Sequence, residues 1–105
     1  VIVVGATDRG DLKASFSAYG RAVDVFAPGV EIFSTYLNNT YVPMSGTSMA
    51  TPMANGVAAL IWSDNPSLTP TQVEKILFLS CRDLGTAGND DYWGWGRIGA
   101  YESLF

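Results

Sequence analysis

The sequence predicts part of an α/β layered fold, and three observations carry that prediction. Short apolar runs rich in β-branched residues crowd the first half of the chain, and helical patterning dominates the second. Val1–Ala6 is a continuous apolar run, the pattern of a strand buried on both faces in a parallel sheet covered by helices. Met49–Trp62 is alanine-rich and carries no charge, so it is expected to be a helix buried on every side.

Taken in order, Val1–Ala6 is the first strand and Asp8–Asp11, with Gly10 inside it, a polar turn. Val23–Ala27 is a second strand, closed by Pro28-Gly29. Glu31–Thr35 follows as a short strand, Asn38-Asn39 as a turn, and Tyr41-Val42 as an extended piece ending near Pro43. The long helix should begin near Ser48, because Pro52 is tolerated only in a first turn. Asn65-Pro66 breaks the chain. Thr69 is then an N-cap, Pro70 the first helical residue and Gln72 the partner in a capping box, giving a helix to about Ser80 with Val73, Ile76 and Leu77 on its apolar stripe. A glycine-rich loop over Gly85–Asp91, a Trp–Gly turn and a short terminal helix complete the pattern.

Composition excludes several classes of function. At 105 residues the chain is one small domain or part of a larger one. With 48% of residues hydrophobic and 15% charged, it can fill a core and is not disordered. The net charge is −4, and the basic residues Arg9, Lys13, Arg21, Lys75, Arg82 and Arg97 are scattered, which argues against a nucleic-acid surface. No apolar run approaches the roughly 18–20 residues of a membrane span; the longest covers Val57–Trp62. Val1 starts inside a strand pattern with no basic leader, so an upstream segment is expected to have been removed. Cys81 is the sole cysteine, and there is no histidine.

The chemistry is concentrated in Met44–Pro52. Here a glycine, Gly46, precedes a hydroxyl, Ser48, placed where a buried helix begins. The first N–H groups of a helix lack partners within it and, with the macrodipole, favour negative charge in front of it. A serine there can attack a carbonyl while its own N–H steadies the resulting oxyanion. Gly46 lets backbone and substrate approach with no Cβ between them.

Gly46-Thr47-Ser48-Met49-Ala50-Thr51-Pro52 resembles the nucleophile motif of the subtilisin-like serine proteases, the subtilase or S8 peptidase family. Val1–Thr7, Ser15–Gly20, Val23–Gly29 and Gly94–Ile98 resemble, in the same order, other segments of the later part of that family's catalytic domain. The resemblance implies the C-terminal portion of a three-layer fold with a mainly parallel sheet and a buried helix starting at the nucleophile. Residues 1–105 would then be a partial domain lacking the family's upstream aspartate, histidine and oxyanion asparagine. Ser48 takes the nucleophile's place, with Gly46 and Thr47 beside the substrate. The substrate would be an extended polypeptide, the location secreted or periplasmic, and the activity dependent on the missing segment, in cis or as a second chain. No cofactor or metal is expected within the chain, because the family's usual calcium sites belong to the absent portion. In subtilisin itself, losing the histidine alone lowers turnover by about 2 × 10⁶, so this chain alone should be inactive or nearly so. A pseudoprotease that binds without cleaving, or a purely structural fragment, would follow if the upstream residues were replaced or absent.

Other patterns have plainer explanations. Ser48 alone could be a helix N-cap. Ala50 stands where an α/β-hydrolase elbow needs glycine. Gly94–Gly99 matches a dinucleotide fingerprint by letter but has no crossover helix after it, and it is assigned to a tight turn. Asn38-Asn39-Thr40 is a glycosylation acceptor pattern on a surface turn, and neither asparagine is placed to replace the oxyanion donor. Asp90-Asp91 is a solvated loop, and Asp24 is expected to hold a hydrogen bond rather than an ion. Met53 stands where many family members have a structural histidine. Asn55, expected in a buried helix, should have a hydrogen-bond partner.

Overall fold

The computed structural model describes Val1–Phe105 as four strands and three helices: β1 (Val4–Thr7), β2 (Val25–Pro28), β3 (Ile32–Tyr36), β4 (Thr40–Met44), α1 (Thr47–Asp64), α2 (Pro70–Leu79) and α3 (Ala100–Leu104). β1 and β2 are parallel neighbours, with Val4 opposite Val25 and Thr7 opposite Pro28. Residues 95–98 extend this layer beyond β2: the Phe26 N–H donates to the Gly96 carbonyl at 2.8 Å and the Ile98 N–H to the Phe26 carbonyl at 2.9 Å. On the other edge of β1, the Ala14 N–H donates to the Ala6 carbonyl and the Ser17 hydroxyl accepts from the Ala6 N–H, each at 2.9 Å. The connection between the parallel strands therefore doubles back to cover an edge that would otherwise be unpaired.

Alternation along β2 divides its side chains between two environments. Val25 and Ala27 enter the main core with Ala6, Ala50, Ala54, Val57, Ile61, Val73 and Leu77, which places α1 against the sheet and α2 against α1. Phe26 points the other way, fully buried, with its ring edge-on to Trp93 at 5.2 Å. The sheet is thus covered on both faces, but aromatic loop residues cover the second face, where the sequence predicted helices.

Three expectations for the long helix need correcting. Only Ala50, Ala54, Val57 and Ile61 of α1 are buried, a single stripe at helical spacing, while Met53, Leu60 and Trp62 are each more than 40% exposed. The helix is apolar all round, but this chain covers only one of its faces. Asn55 is on the uncovered side, so it is exposed and needs no internal partner. Pro52 lies inside α1, beyond its first turn. Having no N–H, it leaves the Ser48 carbonyl without its normal helical donor.

Other local predictions hold closely. The capping box of α2 is complete: the Gln72 N–H donates to Thr69 Oγ1 at 3.2 Å and the Thr69 N–H to Gln72 Oε1 at 2.8 Å. Asn38 and Asn39 both adopt left-handed backbone, at φ 59° and 57°, and turn β3 antiparallel into β4. Gly94 and Gly96 have φ of +56° and +107°, and a Cβ on either would collide with the carbonyl of Asp24 or of Arg82. The glycine pattern there serves a turn against β2. Asp24 accepts a hydrogen bond from the Val3 N–H at 2.9 Å.

Candidate active site

The loop between β4 and α1 is held from behind by the residues that follow β2. The Gly46 N–H donates to the Gly29 carbonyl and the Glu31 N–H to the Ser45 hydroxyl, both at 2.8 Å. Gly29 has to be glycine for this contact, because a Cβ there would lie 2.7 Å from both the Gly46 oxygen and the Ala6 Cβ. Ala50, fully buried, fits the same narrow space. The end of the parallel layer thereby fixes the start of α1.

Gly46 is the N-cap residue of α1 and Thr47 its first helical residue, so Ser48 is second. No side chain caps the helix, which removes the N-cap explanation for Ser48. The N–H groups of Met49 and Ala50 both donate to the Gly46 carbonyl, at 3.0 and 3.3 Å. Those of Thr47 and Ser48 precede the helical ladder and have no partner within the helix. The Ser48 side chain is exposed and stands at the rim of a cleft of about 340 Å³ between the β3–β4 hairpin and α1, walled by Ile32, Val42, Met44, Met49 and Met53. A larger groove of about 430 Å³ runs between β1, α1 and α2, away from Ser48 and lined by Ile2, Val4, Ala58, Trp62 and Val73.

The sequence-predicted residues Gly46, Thr47 and Ser48 therefore sit together at a helix start that opens onto a cleft. Thr47 contributes its carbonyl as acceptor for the Thr51 hydroxyl at 2.9 Å. A Cβ at Gly46 would meet nothing nearer than the Met49 sulfur at 3.4 Å, so the space in front of it is open. Asn38 and Asn39 are at the far end of the hairpin, about 15 Å of strand from Ser48 at ordinary strand rise. No histidine is present to act as a base, and no group of three or more His, Cys, Asp or Glu residues could hold a metal ion. Gly29 and Ser45, the supports of this loop, carry no local signal in the sequence. The Pro28-Gly29 pair was legible only as a strand terminator, since the contact with Gly46 spans a hairpin.

Comparison with known proteins gives one answer by three routes. The model of the Subtilase family matches residues 1–96. The chain is 46% identical over 98 residues to subtilisin DY of Bacillus licheniformis, covering 93% of this chain and 35% of that protein. It is 43% identical over 103 residues to thermitase of Thermoactinomyces vulgaris, covering 98% and 36%. Against M-protease of Shouchella clausii it is 44% identical over 99 residues, covering 94% and 25%. Among solved structures, the serine protease MycP1, described as an essential component of the type VII (ESX-1) secretion system, superposes with a TM-score of 0.91 at 32% identity, over 99% of this chain and 31% of that one. The chain thus spans between a quarter and about a third of the length of these relatives. It has the α/β fold of the subtilisin-like proteins and belongs to the subtilase family of serine peptidases.

Proposed function

We propose that Ser48 is the nucleophile of a serine endopeptidase and that this chain is the C-terminal segment of its catalytic domain. The observation that carries the reading is an exposed serine at the second position of α1, lining a cleft, where the first N–H groups of the helix lack intrahelical partners. Ser48 Oγ would attack the scissile carbonyl carbon of an extended polypeptide, forming a C–O bond as its proton passes to a base. The Ser48 N–H, aided by the positive end of α1, would hold the oxyanion. Collapse breaks the C–N bond, the amine leaves with the proton, and water then releases the acid from the acyl-enzyme. Gly46 and Thr47 would run beside the substrate backbone.

The base is not in this chain, so a histidine and its orienting carboxylate come from a further segment of the domain, in cis or as a second chain. The uncovered apolar face of α1 supplies a surface for that segment. By resemblance to the family we infer a secreted or periplasmic location, which fractionation of the source cells checks. Within the chain, no helix is long and apolar enough to cross a membrane.

The decisive variant is Ser48→Ala in the full-length protein. Hydrolysis of an unfolded polypeptide should fall by about 10⁶, the magnitude known for the corresponding change in subtilisin, with secondary structure by circular dichroism unchanged. Hydrolysis within tenfold of the parent would refute the assignment.

A further inference from the structure

The second face of the β1–β2 layer holds a feature that takes no part in the chemistry at Ser48. The Lys13 ammonium is buried and has no hydrogen-bond partner. Asp11 is paired with Arg97 and Arg82, and Asp91 with Arg21. The Asp90 carboxylate, on the loop that carries Tyr92 and Trp93, is part-buried and makes no salt bridge to Lys13, although its Oδ2 also has no hydrogen-bond partner. Aromatic rings surround the ammonium instead. Its Nζ lies 2.8 Å from the ring centre of Tyr92 and 3.8 Å from that of Tyr19, with Trp93 at 5.7 Å and Phe26 at 5.9 Å. The rings also pack on one another, Tyr19 on Tyr92 at 5.1 Å and Tyr92 on Trp93 at 5.5 Å. An ammonium removed from water with neither acceptor nor counter-ion is strongly disfavoured. The negative faces of aromatic rings are the groups in direct contact with it, and their attraction grows as water is excluded.

We propose that Tyr19, Phe26, Tyr92 and Trp93 form an ammonium-recognition cage that the chain fills with its own Lys13, and that this latch seats the Asp8–Gly20 segment on the edge of β1. The walls come from three separate parts of the sequence: the β1–β2 connection, β2 itself and the late glycine-rich loop. Lys13 pairs with Thr7 across the β1 edge. It stands between two of the bonds that seal that edge, Asp8 N–H to the Leu12 carbonyl and Ala14 N–H to the Ala6 carbonyl, both 2.9 Å. The Asp11–Arg97 ion pair fastens the same segment at a second point. The ligand class is a primary alkylammonium, and a chain deprived of Lys13 would accept one from solution.

The test follows amide hydrogen exchange at Ala6 and Ala14 in the full-length protein. Lys13→Met keeps the aliphatic stem and removes the charge, and it should speed exchange at both amides by about tenfold, leaving Val73 in α2 unchanged. Lys13→Arg should restore protection, because a guanidinium also sits on aromatic faces. Tyr92→Leu should reproduce the loss, Tyr92→Phe should not, and Lys13→Met should add nothing to Tyr92→Leu. In Lys13→Ala, n-butylammonium chloride should recover protection that equal concentrations of sodium chloride or n-butanol do not. Parent-like protection in Lys13→Met, additive effects of the Lys13 and Tyr92 changes, or equal rescue by n-butanol would each overturn the proposal.

Discussion

At Cys81, burial decides the behaviour of the thiol. Its pKa is pushed up from 9.0 to about 12 by desolvation, and the sulfur donates to the Leu77 carbonyl at 3.2 Å, a bond only the protonated form can make. A folded-state value above the unfolded one means that the folded chain retains a proton the unfolded chain has lost. The corresponding stability is fully present below pH 9 and declines as the pH rises from about 9 towards 12. Denaturation midpoints measured across that window should fall in the parent and fall less in Cys81→Ala, and parallel slopes would disprove it. Gly29 makes a different prediction. Its missing Cβ leaves room for the Gly46 carbonyl and the Ala6 side chain, so Gly29→Ala should displace the start of α1. Misplacing a reactive group by about 1 Å can cost about 10² in rate. In the full-length protein kcat should drop by about that factor, with stability lowered by about 1–3 kcal/mol. A parent-like kcat would show that this contact does not position Ser48. The sequence singled out Ser48 as the candidate because the residues around it are consecutive. It concealed Gly29, Ser45 and Lys13, whose partners lie across a hairpin or on another loop.

The elements that were legible in sequence are those whose determinants are local. α2 carries its start signal in Thr69-Pro70-Thr71-Gln72 and its apolar stripe in Val73 and Leu77, and it forms between the limits those residues set. The β3–β4 hairpin depends on Asn38-Asn39, two successive left-handed residues in the three-residue connection between Tyr36 and Thr40. Asn39→Gly should therefore be neutral or slightly stabilising, whereas Asn39→Val should cost about 1–2 kcal/mol by forcing a β-branched residue into that region. Urea unfolding of the two variants checks the sign, and a valine variant as stable as the parent would contradict the turn assignment. α1 was legible in extent but not in burial. Its composition states that every side is apolar, yet coverage depends on which chain segments are present to pack against it. The aromatic cover on the second face of β2 was hidden for a related reason. Aromatic residues dispersed at 19, 92 and 93 have no period that marks them as one surface.

In the molecule as a whole, the parallel layer, α1 and α2 form one core, and the site sits where that core ends. This arrangement holds an exposed hydroxyl at a helix start and no histidine; on the proposed reading it would supply the nucleophile and an oxyanion donor but not the base. The apolar groove along α1, lined by Ile2, Val4, Ala58 and Trp62, and the exposed Met53 and Leu60 fit a chain that spans a quarter to a third of its relatives. Nucleophile and base would thus be parts of one domain encoded in different segments, and reactivity at Ser48 should report whether both are assembled. Peptide mapping after fluorophosphonate treatment tests this most directly. In the full-length protein the adduct should form at Ser48 and be absent from Ser48→Ala, while residues 1–105 alone should not be labelled. Rapid, stoichiometric labelling of residues 1–105 alone, or an adduct at any serine other than Ser48 in the full-length protein, would contradict it.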